Sequence, residues 1–336
     1  MKSEAEAELC FPELNISCRK PALRSRMVLL NILVSSVSVS TVALNLLVII
    51  TVSHFRQLHT PTNILLLSLA VSDFLVGLVL IPGEFFRRTS CWFLGDSMCS
   101  LYKYFVLGLG CMGLASSLGD MILISAERYV AICDPLHYST RVTVPRVRLC
   151  VFLCWVCSVF YFSVMLKWGL IESDPENSCY GECVVVVRYV AGVVDLVFSF
   201  IAPITVITVL YMRVFVVAVS QARAMNSHVK TVIVQRSITV VVKKSELKAA
   251  RTLGVLLLVF LLCFCPYYCV SIAGDAAFGS PASYVVYLFY FNSCLNPVIY
   301  TLFYPWFRKA IKLIVTCKIL QPGSSDTNIL QRGSVD

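Results

Sequence analysis

Charged residues are scarce in this sequence of 336 residues: they make up 14% of it, whereas 58% of the residues are hydrophobic. A soluble domain carries about 25% charged residues, so these few charges could not cover a soluble globule of this length. Histidine is also rare, with four residues, and all four lie at or beyond the inner ends of the apolar runs described below. A membrane enzyme that uses histidine is therefore disfavoured.

Seven long apolar runs fill most of the chain. Each is about as long as, or longer than, the ~20 residues with which a helix crosses ~30 Å of hydrocarbon. The runs cover residues 27–52, 64–83, 104–126, 149–166, 189–212, 253–274 and 276–306. Only three charged side chains lie within them, Asp73, Asp120 and Asp195. The sequence predicts an all-α membrane protein with a bundle of seven transmembrane helices.

Basic residues indicate the orientation, because Lys and Arg are retained on the cytoplasmic side. The segment between the fifth and sixth runs is strongly basic and has a single acid, Glu246. Its basic residues include Arg223, Lys230, Arg236, Lys243, Lys244, Lys248 and Arg251. This loop is expected in the cytoplasm, and seven spans then place the N-terminus outside. The sequon at Asn15 agrees, because glycosylation occurs on that side.

The predicted organisation has four parts: an extracellular N-terminus (1–26), a seven-transmembrane domain (27–304), an amphipathic eighth helix (305–320) and a polar, disordered tail (321–336). No cleavable signal is expected, and the first span does the targeting. Cys317 is a candidate for palmitoylation. Membrane topology and anionic inner-leaflet lipid explain the net charge of +9, so lipid is an expected partner and nucleic acid is not.

Short motifs at the ends of the spans are more specific than the hydropathy. They are Asn45, Leu69-Ala70-Val71-Ser72-Asp73, Glu127-Arg128-Tyr129, Trp155, Pro203, Cys263-Phe264-Cys265-Pro266 and Asn296-Pro297-Val298-Ile299-Tyr300. In this order, the set resembles rhodopsin-like G protein-coupled receptors over nearly the whole chain. The seventh span and its continuation, residues 292–300 and 304–307, resemble the trace amine-associated receptors.

The resemblance implies a chemosensory receptor of olfactory neurons that detects volatile amines. It also implies coupling to a stimulatory heterotrimeric G protein, which raises cyclic AMP, and it requires no cofactor. An opsin is disfavoured because no lysine lies between Pro281 and Tyr304. A receptor of the same fold for a small ligand that is not an amine stays open.

The family's usual anchor for the ligand ammonium, an Asp in the third span, is absent. Counting eighteen residues back from Arg128 gives Gly110, and counting seven forward from Cys99 gives Val106. The two counts disagree because the interval from Cys99 to Arg128 is four residues longer than in the family. Four residues lengthen a helix by ~6 Å and turn it by only ~40°, so Cys99 can still reach a partner.

Asp195, two turns into the fifth span, is the best remaining candidate for the ammonium. A charge inside the bilayer costs about 2.5–3.5 kcal/mol, so a partner or a task is expected for it. The alternative is a structural carboxylate that is protonated or bonded to a neighbouring hydroxyl. The other pocket positions are expected from the resemblance: Gly110, Phe264, Tyr267, Tyr268 and Tyr290.

The resemblance also implies an activation switch and a resting-state sodium site. The switch residues are Glu127, Arg128, Tyr129, Asn296, Pro297 and Tyr300. The sodium ligands would come from Asp73, Ser117, Asn292 and Asn296, with Asn45 nearby; packing of the same polar groups is the alternative.

The outer segments hold six cysteines, and their connectivity cannot be derived from spacing. The resemblance implies a Cys99–Cys183 bridge and, by a weaker analogy, a Cys18–Cys179 bridge. Cys10 and Cys91 compete for either position.

Two further acids, Glu84 and Asp120, are not expected to contact the ligand. Glu84, at the outer end of the second span, is expected to be a solvated surface charge that steers cations. Asp120 lies too deep for a ligand that enters from outside, so a hydrogen bond to a neighbouring helix is expected for it.

Overall fold

In a computed structural model, the described residues include seven long helices and a shorter helix that follows the seventh. The structure describes residues 9–13, 17–18, 25–89, 91–171, 181–183, 185–228, 236–273, 282–303, 305–327 and 329. Asn15 and Cys179 therefore lie outside the described residues. Six helices are long and apolar enough to cross a membrane, and the seventh contains a shorter apolar stretch, Val285–Ile299. The chain is a multi-pass membrane protein with a seven-helix bundle.

The first three spanning helices differ in regularity. Helix α1 is continuous over Ser25–His54. Helix α2 consists of Pro61–Leu75, the π-helical turn Val76–Leu80 and Ile81–Thr89. It begins at an ordinary cap, since Thr60 accepts a hydrogen bond from the Asn63 amide and Pro61 needs no donor there. Helix α3 consists of Gly95–Leu101, the π-helical turn Tyr102–Leu107 and Gly108–Cys133.

The fourth, fifth and sixth spanning helices are longer than their apolar runs on the inner side, whereas the seventh is shorter than its run. Helix α4 consists of Val144–Val164 and the π-helical turn Met165–Gly169. Helix α5 consists of Tyr189–Asp195, the π-helical turn Leu196–Ile201 and Ala202–His228. Helix α6 covers Arg236–Ala273, and helix α7 covers Ala282–Phe303. An apolar run ends where polar residues begin, whereas α5 and α6 continue as helices through their polar inner ends.

The core lies between α1, α2, α3, α6 and α7, where α2 packs against α1 and α3 and α7 packs against α6. Helices α4 and α5 turn large apolar side chains outward; Phe152 is 63% exposed and Phe160 is 71% exposed. Exposed apolar surface on this scale does not suit water, and it fits the hydrocarbon of a membrane.

The segment after α7 differs from the expectation of one helix followed by a disordered tail. Helix α8 covers Pro305–Val315, and a 3₁₀ turn, Lys318–Leu320, follows it. Its buried face carries Phe307 and Ala310. Ser324 bonds to His54 at 2.9 Å, so the described part of the tail is ordered against α1. The described residues therefore form a shorter helix than the predicted 305–320 and an ordered start to the tail.

Two disulfides join pairs of described residues on the outer side. Cys99 at the start of α3 is bonded to Cys183, and Cys10 is bonded to Cys91. The short strands β1 (Leu170–Ile171) and β2 (Val186–Val187) pair antiparallel nearby. Cys18 is also disulfide-bonded. Cys10 and Cys91, which the spacing leaves unassigned, therefore bond to each other and do not compete for the Cys99–Cys183 bridge.

Candidate functional site

A cavity of about 680 Å³ opens between α2, α3, α4, α5, α6 and α7 on the side of the disulfides. This volume lies within the usual range of small-molecule sites, ~300–1,000 Å³. Its walls are mostly apolar, with Leu107, Leu114 and Leu118 of α3 and Val286 of α7 among the lining residues. The cavity can therefore hold a small, largely apolar molecule and offers few polar groups to orient it.

Asp195 lines this cavity, and hydroxyl groups from three helices hold its carboxylate. Ser199 and Tyr161 donate to Oδ1 at 2.8 and 3.1 Å, and Tyr268 donates to Oδ2 at 3.1 Å. Ser199 is four residues after Asp195, across the start of the π-helical turn of α5. Among the described residues, no basic side chain forms an ion pair with Asp195. These three hydroxyl groups orient the carboxylate toward the cavity wall that Asp195 lines.

Aromatic residues of α6 and α7 form the wall that faces Asp195. Tyr267, Tyr268 and Tyr290 all line the cavity. Tyr268 stacks on Phe200 of α5 with ring centroids 4.7 Å apart, and Tyr267 lies 4.8 Å from Phe289. These contacts join the wall of the cavity to α5, α6 and α7.

Two predicted pocket residues lie elsewhere. Gly110 faces α2, where an added Cβ would lie 2.4 Å from Cβ of Leu80, and its neighbour Cys111 lines the cavity instead. Phe264 is 1% exposed and packs beneath the cavity, 4.3 Å from Phe289. Close packing against α2 and α7 keeps both residues out of the described lining of the cavity, and ligand contacts at these two positions stay predictions.

The wall also contains residues that the sequence did not single out, chiefly Tyr161, Ser199, Cys111 and Arg87. Ser199 had a usable signal, since residues four apart share a helix face and a hydroxyl there can reach a buried carboxylate. Tyr161, Cys111 and Arg87 depend on how distant helices pack, and no local pattern marks them.

Glu84 is not the solvated charge that its position suggests. It is 2% exposed and forms an ion pair with Arg87, with Arg87 Nη2 at 2.8 Å from Glu84 Oε2. The hydroxyl of Tyr102 also donates to Glu84. Both Glu84 and Arg87 line the cavity.

Asp73 lies at the centre of a buried polar cluster below the cavity. Ser117 donates to one carboxylate oxygen at 3.0 Å, and Asn296 Nδ2 donates to the other at 2.8 Å. The side-chain oxygens of Asn292, Asn296 and Asn45 are buried and have no hydrogen-bond donor within the described structure. Carboxylate and amide oxygens of this kind are the ligands that hard cations prefer.

Asp120 is bonded to a neighbouring helix, as its depth suggests. Ser68 of α2 donates to Asp120 Oδ2 at 2.7 Å, and Trp155 of α4 donates to Ser68 at 3.0 Å. Asp120 is absent from the lining of the cavity. The three side chains tie α2, α3 and α4 together.

The inner end of α3 carries an ion pair that other residues reinforce. Arg128 Nε lies 2.5 Å from Glu127 Oε2, and Thr62 accepts from Arg128 and donates to Glu127. Tyr138, in the short helix Tyr138–Arg141, donates to Glu127 at 2.5 Å. Burial, and then the bond to Glu127, raise the pKa of Tyr138 to about 12, so its hydroxyl keeps its proton near neutral pH.

The other switch residues are placed as follows. Tyr129 packs against Ile132 and Val214, and Pro297 lies within α7. The side chain of Tyr300 lies outside the described residues. Cys317, after the end of α8, is exposed and unbonded.

Comparison with known proteins gives a consistent family. Residues 44–300 match the model of the 7 transmembrane receptor (rhodopsin family). Trace amine-associated receptor 13c of Danio rerio is 37% identical, with 96% of each chain covered. Trace amine-associated receptor 8c of Rattus norvegicus and 7a of Mus musculus are each 38% identical over 97% of this chain, and the alignments cover 98% and 93% of those relatives.

These matches extend over nearly the whole chain and over the helices that form the cavity and the inner ion pair. Members of the family are receptors rather than enzymes, with a small-molecule ligand and a heterotrimeric G protein as partners. The chain belongs to the trace amine-associated receptors of the rhodopsin-like seven-transmembrane family.

Proposed function

We propose that this receptor detects small volatile amines and that Asp195 binds the ligand ammonium. The observation that carries the proposal is the carboxylate of Asp195: it lines the cavity, hydroxyls from three helices orient it, and no described basic side chain neutralises it. The names of the relatives, trace amine-associated receptors, support the ligand class.

The attraction between an ammonium and Asp195 is strong enough to offset the cost of placing the charge in the membrane. An ammonium about 4 Å from a carboxylate gains ~4 kcal/mol at an effective dielectric near 20, which offsets the cost of a charge in the membrane. Each tyrosine face that meets the ammonium adds ~0.5–2 kcal/mol through cation–π attraction, and Tyr267, Tyr268 and Tyr290 are available for this. The bound cation lies toward α5, because the third-span position of the usual acid is Gly110, packed on Leu80.

The effect of ligand binding at Asp195 can be transmitted to the inner side of the receptor by a movement of α6. Tyr268 connects the carboxylate to α6, and Pro266 lies within this helix, where a missing backbone hydrogen bond allows bending. Outward movement of α6 would favour release of Arg128 from Glu127 to contact a G protein. We assign a stimulatory G protein and a rise in cyclic AMP, as expected for an olfactory receptor of this family.

The proposal includes the membrane location and the orientation of the receptor. The receptor lies in the plasma membrane with its N-terminus and Asn15 outside, and the basic exposed face of α8 contacts anionic lipid of the inner leaflet. Cys317, exposed just after α8, suits attachment of a palmitoyl chain.

A sodium ion in the Asp73 cluster would stabilise the resting receptor. Asp73 and Ser117, with the unbonded oxygens of Asn292 and Asn296, would hold it. Oxygen ligands around one buried carboxylate suit a hard monovalent cation, and no chemistry is required of it.

The test of the ligand class is a cyclic AMP dose response in cells that express the receptor. Primary, secondary and tertiary amines of graded basicity are compared with alcohols and hydrocarbons of the same shape. We expect responses to the amines that are protonated at the assay pH and none to the neutral isosteres. Equal responses to neutral isosteres, or responses to them alone, would show that the ligand is not an amine.

A further inference from the structure

The cavity is lined by a second carboxylate, that of Glu84, and the guanidinium of Arg87 is already bonded to it. Arg87 and Glu84 are one turn apart on α2. Nε and Nη2 of Arg87 donate to the two oxygens of Glu84 at 3.0 and 2.8 Å. This two-point pairing is the geometry in which a guanidinium binds a carboxylate most strongly. Glu84 therefore has a positive partner before any ligand enters.

The surrounding structure holds this pair in place. Nη1 of Arg87 donates to the carbonyl oxygen of Cys183 at 3.2 Å, and Cys183 is bonded to Cys99 of α3. Tyr102 donates its hydroxyl to Glu84. An ion pair in water has little strength, but these side chains are only 14% and 3% exposed. The guanidinium is thus fixed in the wall of the cavity.

Glu84 and Asp195 belong to the same cavity. Both line it, and Cys111 of α3 lines it with them. Among the described lining residues the charges are those of Glu84 and Asp195 and those of Arg87 and Arg188. The net charge of this wall is zero, and Asp195 is the acid in it that has no basic partner.

We propose that Arg87 is a specificity-determining residue: it takes the place of a second ligand ammonium at Glu84, so the receptor selects monoamines over diamines. The inference rests on the proposed function, with one ammonium at Asp195. A diamine bound there would bring its second ammonium to an acid that is already neutralised and next to a like charge. Without Arg87, Glu84 would be a buried carboxylate in need of a cation.

The test compares α,ω-diaminoalkanes of graded length with the monoamines of equal carbon number, by cyclic AMP response and surface expression. In the wild type, we expect each monoamine to be about tenfold or more potent than its diamine. Arg87→Gln should shift this ratio by about tenfold toward the diamine whose length spans the two acids.

Two matched variants test whether the positive charge of Arg87 is responsible for the preference. Arg87→Lys keeps a cation beside Glu84 and should keep the monoamine preference. The double variant Glu84→Gln/Arg87→Gln removes both charges, and it should gain no diamine response.

The outcomes separate this inference from the proposed function. An unchanged ratio in Arg87→Gln receptors at the cell surface would overturn it, as would equal potency of diamines on the wild type. If Arg87→Gln does not reach the surface, the double variant Glu84→Gln/Arg87→Gln and Arg87→Lys are compared with the wild type, and equal potency of diamines on the wild type still overturns the inference. If no amine acts on the wild type, the proposed function fails; if monoamines act through Asp195 and the ratio is fixed, only the role of Arg87 fails.

Discussion

The hydroxyl of Tyr268 donates a hydrogen bond to Asp195 at 3.1 Å and thereby joins α6 to α5 at the ligand cavity. Tyr161 makes a bond of the same length to the same carboxylate from α4. The two tyrosines give Asp195 similar support, but only Tyr268 belongs to the helix that is expected to move on activation. This difference separates the roles of binding and of transmission.

Replacing either tyrosine with phenylalanine should weaken the response to amines. A hydrogen bond to a charged group contributes ~1.5–3 kcal/mol, and only part of this is lost to ligand binding because two other donors still orient the carboxylate. We expect a three- to tenfold loss of potency in each variant. Tyr268→Phe should also lower the maximal cyclic AMP response, whereas Tyr161→Phe should not. Equal maximal responses in the two variants would remove the special role of Tyr268.

Sodium should oppose activation if it occupies the Asp73 cluster. A ligand that binds only the resting state shifts the equilibrium toward it, by an amount set by its concentration relative to its dissociation constant. Replacement of choline by sodium in the buffer should lower amine potency in G protein activation assays on membranes. Asp73→Asn should abolish this dependence. Potency that does not respond to sodium in the wild type would contradict the proposed site.

Loosening the inner ion pair should raise activity without ligand. Tyr138→Phe removes one hydroxyl from Glu127 and leaves Arg128 in place. A hydrogen bond to a charged group is worth ~1.5–3 kcal/mol, so the resting state loses part of its advantage. We expect basal cyclic AMP at least about twofold above that of the wild type at equal surface expression. Thr140→Ala, whose hydroxyl bonds to the exposed His137 carbonyl, serves as the control and should leave the basal level unchanged.

The Cys10–Cys91 bond should matter for reaching the cell surface. It links residues 81 positions apart, and loss of a native disulfide typically costs ~2–5 kcal/mol. Cys10→Ser and Cys91→Ser should lower surface expression by the same factor, because each breaks the same bond. The double variant should be no worse than either single one, and additive losses would argue against this pairing.

Hydropathy predicted the seven-helix bundle well, because a spanning segment must be apolar along its whole length. It could not predict how far α5 and α6 extend, since their inner ends are polar helices. A charge within the fifth apolar run marks Asp195 as a candidate, and the structure places that residue in the cavity wall. The position of Gly110 came from a count along α3, and the count says nothing about close packing on α2.

The pair of Glu84 and Arg87 shows why other parts of the site were hidden. A Glu followed three residues later by an Arg at the end of a span is typical of a solvated helix pair. Here Arg87 also donates to the carbonyl oxygen of Cys183, and the side chains of the pair are only 14% and 3% exposed. The cysteine pairing is hidden for a similar reason, since connectivity depends on how the outer segments cross and not on their spacing.

The most direct test of the central claim is the cyclic AMP response of Asp195→Asn beside the wild type across a panel of primary, secondary and tertiary amines. The substitution keeps the size of the side chain and removes its charge, so an ion pair worth ~4 kcal/mol should be lost. We predict amine potency about 100-fold lower or no response, with surface expression unchanged. Responses in the variant equal to those of the wild type would contradict Asp195 as the ammonium anchor.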